Sequence, residues 1–125
     1  MYTAVFDGSA QPNPGTKHIG GAVYKDGKTI YTFSIRRNHG TNNEAEYEAL
    51  IEIASYLNGS GIEEVEITGD SMLVVNQVNG LWKCNVPQLQ EYKEKIIRLL
   101  SGIKYSLKHV PREQNTFADK LSKGT

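Results

Sequence analysis

The stretch TNNEAEYEALIEIASYL, residues 41–57, decides how the rest of the chain is read. Its apolar residues recur with a helical period and Gly59 supplies a stop just beyond, so the spacing predicts a helix over 41–57. Thr41 and Glu44 have the spacing of a capping box, in which each side chain satisfies the other residue's backbone amide. The four glutamates of the stretch are not equivalent. Leu50, Ile53 and Leu57 stand four, seven and eleven positions after Glu46, within roughly 40° of it at 3.6 residues per turn. Glu46 is therefore centred on the apolar stripe, whereas Glu44 and Glu48 point about 160° away, toward the side expected to face solvent. A carboxylate on a buried stripe is costly unless a cation or strong donors stand beside it.

Working outward, residues 2–6 read as a buried strand closed by Asp7, and GSAQPNPGTKHIGG, residues 8–21, as a loop rich in Gly and Pro. GAVYKDGKTIYTF, residues 21–33, sets Asp26-Gly27 between two apolar runs and predicts a hairpin. VEIT, residues 65–68, is a fourth strand, and SMLVVNQVNG, residues 71–80, a short helix. VPQLQEYKEKIIRLLSG, residues 86–102, is a longer helix with Pro87 in its first turn and Leu89, Tyr92, Ile96 and Leu99 on one face. IKYSLKHV, residues 103–110, alternates as a fifth strand, and NTFADKLS, residues 115–122, forms a terminal helix. The order βββαβααβα calls for an α/β fold, a mixed sheet with helices on both faces.

A length of 125 residues suits one domain spanning 1–125. The chain holds 14 basic and 14 acidic residues, so it lacks the excess that would by itself announce nucleic-acid binding. The single cysteine, Cys84, excludes an internal disulfide and a thiolate cluster for zinc, and fits a cytoplasmic location. The apolar opening is cut short by Asp7, leaving neither a signal-peptide core nor a spanning segment, so a soluble protein is expected.

Three further acids stand at junctions. Asp7 ends the predicted first strand before a glycine. Asp70 lies between the fourth strand and the short helix, where it reads either as that helix's cap or as a functional carboxylate. Asp119 falls in the first turns of the terminal helix, where an acid is favourable against the helix dipole.

The blocks FDGSAQPNPG, TNNEAEY, TGDS and VPREQNTFADKLS, in this order and across nearly the whole chain, resemble the signature blocks of type 1 ribonuclease H. The resemblance implies a ribonuclease H-like sheet of order 3-2-1-4-5 with strands 1–3 antiparallel. It places the family's catalytic and metal-binding acids at Asp7, Glu46, Asp70 and Asp119, the same glutamate that the helical wheel selects. It implies an endonuclease that hydrolyses the RNA strand of an RNA/DNA hybrid with two Mg²⁺ ions, Mn²⁺ substituting, and leaves 5′-phosphate and 3′-hydroxyl ends. Double-stranded RNA stands as a second candidate partner, and the default assembly is a monomer.

By the same resemblance Asn13, Asn43, Glu46 and the backbone near Ser71 read 2′-hydroxyls, which alone separate RNA from DNA. Asn42 and Met72 lie along the bound strands, and Thr41 helps hold a DNA phosphate. The chain departs from the family pattern in three places. His39 stands where an arginine is common. NGLWKCNVPQ, residues 79–88, passes straight to the next helix without the basic protrusion of many members, leaving Trp82 and Lys83 to touch a duplex or pack as a rim. The loop that often carries a proton-shuttling histidine is shortened to VPREQN; His109 reads as a strand residue, and Arg112 is the candidate for contact with the scissile phosphate or for product release. Arg112 cannot shuttle protons, because a guanidinium does not deprotonate near neutrality. The rival functions are a non-catalytic binding domain on the same fold, a polynucleotidyl transferase or integrase, and the nuclease domain of a reverse transcriptase.

Overall fold

The computed structural model describes residues 1–122. Five strands form one mixed sheet: β1 (Tyr2–Gln11), β2 (Gly15–Lys25), β3 (Lys28–Gly40), β4 (Glu64–Gly69) and β5 (Lys104–His109). Their order is β3-β2-β1-β4-β5, with β1 to β3 antiparallel and β4 and β5 joined in parallel. The helices are α1 (Asn42–Leu57), α2 (Met72–Val78), α3 (Pro87–Leu99) and α4 (Thr116–Ser122), with a 3₁₀ turn at Arg112–Gln114 before the last. No helix among the described residues is long and apolar enough to cross a membrane.

The local signals act as expected. Asp26 and Gly27 both adopt positive φ, the geometry a tight two-residue hairpin needs. Thr41 caps α1, its side chain accepting from Glu44 N while the Glu44 carboxylate accepts from Thr41 N. Ala4, Phe6, Ile19 and Val23 face α1 and meet Leu50, Ile53 and Leu57 in the core. α4 covers the opposite face of β1 and β2. Gly20 makes that approach possible: a Cβ there would lie 2.3 Å from the backbone nitrogen of Ser122.

Two sequence expectations need correction. β1 does not close at Asp7 but runs on to Gln11, and most of residues 8–21 is strand, paired from Gly8↔Ile19 to Gln11↔Thr16. The glycines of this segment serve close packing rather than looping. Glu48 does not face solvent either. α1 packs against α3 as well as the sheet, so a second stripe is covered; there the Glu48 carboxylate pairs with Lys17 from β2 and accepts the Tyr92 hydroxyl of α3 at 2.8 Å. The Lys17 and Glu48 side chains are 4% and 15% exposed, so this ion pair is desolvated.

Removing one member of such a pair strands the other. Lys17→Met should cost about 3–5 kcal/mol in denaturant unfolding, and the double variant Lys17→Met/Glu48→Gln should recover most of it. A single variant as stable as the wild type would show that the pair carries no net weight.

Candidate active site

Everything at the site follows from where β4 stops. β1 pairs with β4 only as far as Phe6↔Gly69, while its pairing with β2 continues to Gln11. Beyond Phe6 the β4 side of β1 therefore has backbone groups without a strand partner, and side chains satisfy them in turn. Asn115 Nδ2 donates to the Phe6 carbonyl at 2.9 Å, Gly8 N–H donates to Glu46 Oε1 at 2.7 Å, and Ala10 N–H donates to Asn42 Oδ1 at 2.6 Å. Gly8 allows the second contact, because a Cβ at this position would lie 2.3 Å from the Ala45 backbone and 2.7 Å from Glu46 N. Any larger residue would push α1, and Glu46 with it, away from the strand.

Asp7 sits at the same break. Its cross-strand partner is Gly20, on the face covered by α4, and Ser122 Oγ lies 3.2 Å from Asp7 Oδ2. Asp70 follows the last residue of β4. The cap of α2 is Ser71, whose Oγ accepts from Val74 N at 3.3 Å, so the capping role open to Asp70 is filled by its neighbour. Carboxylate oxygens of Asp7, Glu46 and Asp70 all lie within 4.8 Å of one another. Asp119 is outside that group but close enough to hydrogen-bond Asp7. Asp70 Oδ2 is buried without a hydrogen-bond partner.

Burial and crowding set the protonation of these acids. Burial first, then the Asp70 charge and the hydrogen bond and charge of Asp119, raise Asp7 from 3.8 to about 7; Ser122 opposes the shift. Glu46 is held well above the usual carboxylate range by burial and by the charges of Asp7 and Asp70, while Gly8 N–H pulls the other way. An oxygen-rich, buried, mutually repelling set with one unpartnered oxygen is what a hard divalent cation fits. Asp7, Glu46 and Asp70 would hold it, with Asp119 at the margin.

The other predicted residues divide into two places. Asn13, Thr41, Asn42 and Asn43 line one cleft together with Val86, Gln88 and Leu89 from the start of α3. Asn13 Oδ1 accepts from Asn42 N at 3.0 Å, tying the β1–β2 turn to the first turn of α1. Ser71 and Met72 stand at the head of α2, with Met72 exposed. Trp82 and Lys83 are exposed, and the Lys83 carbonyl is held by buried Gln77. Arg112 is exposed on the turn leading into α4 and forms no ion pair with Glu113 among the described residues. His109 ends β5 opposite Gly69, a strand residue as read. Sequence reading missed Asn115, Lys17 and Ser122; the first and last lie in the quoted VPREQNTFADKLS block, but nothing local marks their partners.

The folded protein keeps a proton on Asp7 that the unfolded chain releases, so this group's contribution is fully present below about pH 3.8 and is lost as pH rises to about 7. In a metal chelator, the wild-type melting temperature should fall between about pH 5 and pH 7 relative to Asp7→Asn, leaving the variant the more stable at about pH 8. Added Mg²⁺ should raise the wild type and leave the variant nearly unmoved. A metal-free variant less stable than the wild type at about pH 8 would contradict the repulsion described.

The Reverse transcriptase-like family model matches residues 5–125. A protein of Halobacterium salinarum named Ribonuclease HI is 36% identical over 121 residues, covering 95% of this chain and 61% of that protein. The crystal structure of RNase H1 from H. salinarum NRC-1 superposes with a TM-score of 0.92 at 35% identity, covering 98% of this chain and 94% of that one. The crystal structure of LC11-RNase H1 in complex with RNA/DNA hybrid gives 0.93 at 34% identity, covering 100% and 96%. The chain spans 61% or less of the length of the curated relatives it matches. With its fold, strand order and matched length in common with these proteins, the chain belongs to the type 1 ribonuclease H family.

Proposed function

We propose that the protein is a metal-dependent endonuclease that hydrolyses the RNA strand of an RNA/DNA hybrid, leaving 5′-phosphate and 3′-hydroxyl ends. The observation that carries this reading is the convergence of Asp7, Glu46 and Asp70, with Asp119 beside them, from four separate elements. A relative bound to an RNA/DNA hybrid in its crystal structure supports the choice of substrate. When bound, a pair of Mg²⁺ ions, or Mn²⁺ in their place, supplies Lewis acidity to the attacking water and to the departing 3′ oxygen.

The chain's own groups do the rest. Asp7, which interacts with Glu46, Asp70 and Asp119 alike, would hold the metal together with them, and Asp70 would offer its buried Oδ2, which has no hydrogen-bond partner. Glu46 is fixed by Gly8 N–H through Oε1, which leaves Oε2 for a ligand or a 2′-hydroxyl. Asn13 and Asn42 spend their carbonyl oxygens on the backbone. Their NH₂ groups have no protein partner among the described residues, so they serve as donors toward the hybrid, with Asn43 beside them. Thr41 adds a hydroxyl for a phosphate of the DNA strand, and Ser71 and Met72 border the acids along the path of the RNA. Without the basic protrusion few counterions are released on binding, so affinity is low and falls only gently with salt.

The decisive assay offers labelled RNA/DNA hybrid, double-stranded RNA and double-stranded DNA in parallel, with Mg²⁺ or Mn²⁺, beside Asp7→Asn. Cleavage of the RNA strand of the hybrid, abolished in the variant, is the expected result; failure to cut any hybrid sinks the reading. Arg112→Ala should lower turnover roughly tenfold, the size of one charge-assisted hydrogen bond, while metal-induced stabilisation is unchanged. Unchanged turnover would return Arg112 to an ordinary surface role.

A further inference from the structure

A second polar patch lies on the α4 face beyond the acids. Asp7, Ser9 and Gln11 alternate on that face of β1, and His18 of β2 stands directly opposite Ser9. α4 ends over the preceding pair, Asp7 and Gly20, where Ser122 fills the space a Gly20 side chain would take. Past this end Ser9, Gln11, His18 and Ser122 line a cavity of about 380 Å³. Ser122 Oγ also contacts Asp7 Oδ2, so the cavity and the carboxylate set share a wall.

Three features of this cavity point to a ligand. The side chains of Ser9, Gln11 and His18 have no hydrogen-bond or ion-pair partner among the described residues. Among the described residues no carboxylate lines it, although it adjoins the acid cluster. Its position also fits: His18 is the diagonal cross-strand neighbour of Asp7, about 7–8 Å away, with Ser122 at the end of α4 packed over Gly20 beside them. That separation is comparable with the step from one phosphate to the next along a nucleic-acid strand. Imidazole N–H, hydroxyl and carboxamide donors together suit the non-bridging oxygens of a phosphodiester.

We infer that His18, with Ser9 and Gln11, forms a subsite for a phosphate of the cleaved strand adjoining the scissile one. The inference rests on the nuclease reading above and deepens it. On that reading the complementary strand would lie at the cleft of Asn13 and Thr41–Asn43, on the other flank of the β1–β2 extension from His18.

The test combines His18→Ala and His18→Gln with hybrids in which single phosphates next to the scissile one, on either side and in either strand, are replaced by neutral methylphosphonates. His18→Ala should raise KM roughly tenfold with little change in kcat, while His18→Gln, which keeps an N–H donor, retains most of the affinity. One methylphosphonate in the cleaved strand should weaken the wild type by a similar factor and leave His18→Ala no worse. Equal sensitivity of wild type and His18→Ala at every position, or non-additivity only with the DNA strand, overturns the subsite, as does a loss confined to kcat. Cleavage of unmodified hybrid by the wild type separates the two claims. Without it the nuclease reading fails and the subsite falls with it; with it, an inert His18 sinks the subsite alone.

Discussion

The constraint on which this molecule turns is an unfinished ladder. β1 outruns its parallel neighbour, and a buried strand edge without partners is unfavourable, because each unpaired backbone group forfeits a hydrogen bond it had in water. The chain fills the edge with side chains: Asn115 for the Phe6 carbonyl, Glu46 for Gly8 N–H, Asn42 for Ala10 N–H. Each of these comes from a helix or its flank, so satisfying the edge also fixes α1 and the approach to α4 against β1. The acids gather at this break because Asp7 and Asp70 follow the last pair of β1 and β4, and Gly8 N–H draws Glu46 of α1 to the same place. Site and scaffold are held by the same hydrogen bonds.

This arrangement explains the opposed influences on Glu46. Burial and neighbouring charges favour the neutral form, whereas the Gly8 N–H favours the carboxylate. A glutamate held only by burial would stay protonated and be a poor ligand. The backbone donor keeps one oxygen engaged, so an incoming cation would have to displace the proton but would not have to orient the side chain as well. Asp7 has Ser122 in a comparable role, a hydroxyl that opposes its upward shift.

Much of this is legible in the chain. Helical period finds α1 and selects Glu46, the Asp26-Gly27 pair finds the β2–β3 turn, and the four blocks carry strand order through the resemblance. What is not legible has a common cause. Gly8 and Gly20 look like loop residues because composition cannot tell a glycine needed for positive φ from one needed so that a helix can approach a strand. Glu48 looks solvated because a single helical wheel shows one apolar stripe, and the second covering surface, α3 with Tyr92, comes from elsewhere in the chain. Asp70 looks like a cap because Asp and Ser are both good caps and stand side by side; only backbone geometry assigns the role to Ser71. Local chemistry is readable residue by residue, while long-range partners require the register.

The register also orders the surface around the break. The β1–β2 pair projects past β4 as a two-stranded ridge, and alternation gives its two faces different neighbours. On the α1 face Gly8 and Ala10 bring the backbone against Glu46 and Asn42, next to the cleft of Asn13 and Thr41. On the α4 face Asp7, Ser9, Gln11 and His18 present side chains instead. On the proposed reading, a duplex laid across the ridge would meet backbone-anchored amides on one flank and free polar side chains on the other, so its two strands would experience different chemistry. With the acids at the base of the ridge, that asymmetry would, on the proposed nuclease reading, admit one strand to hydrolysis while the other is only held.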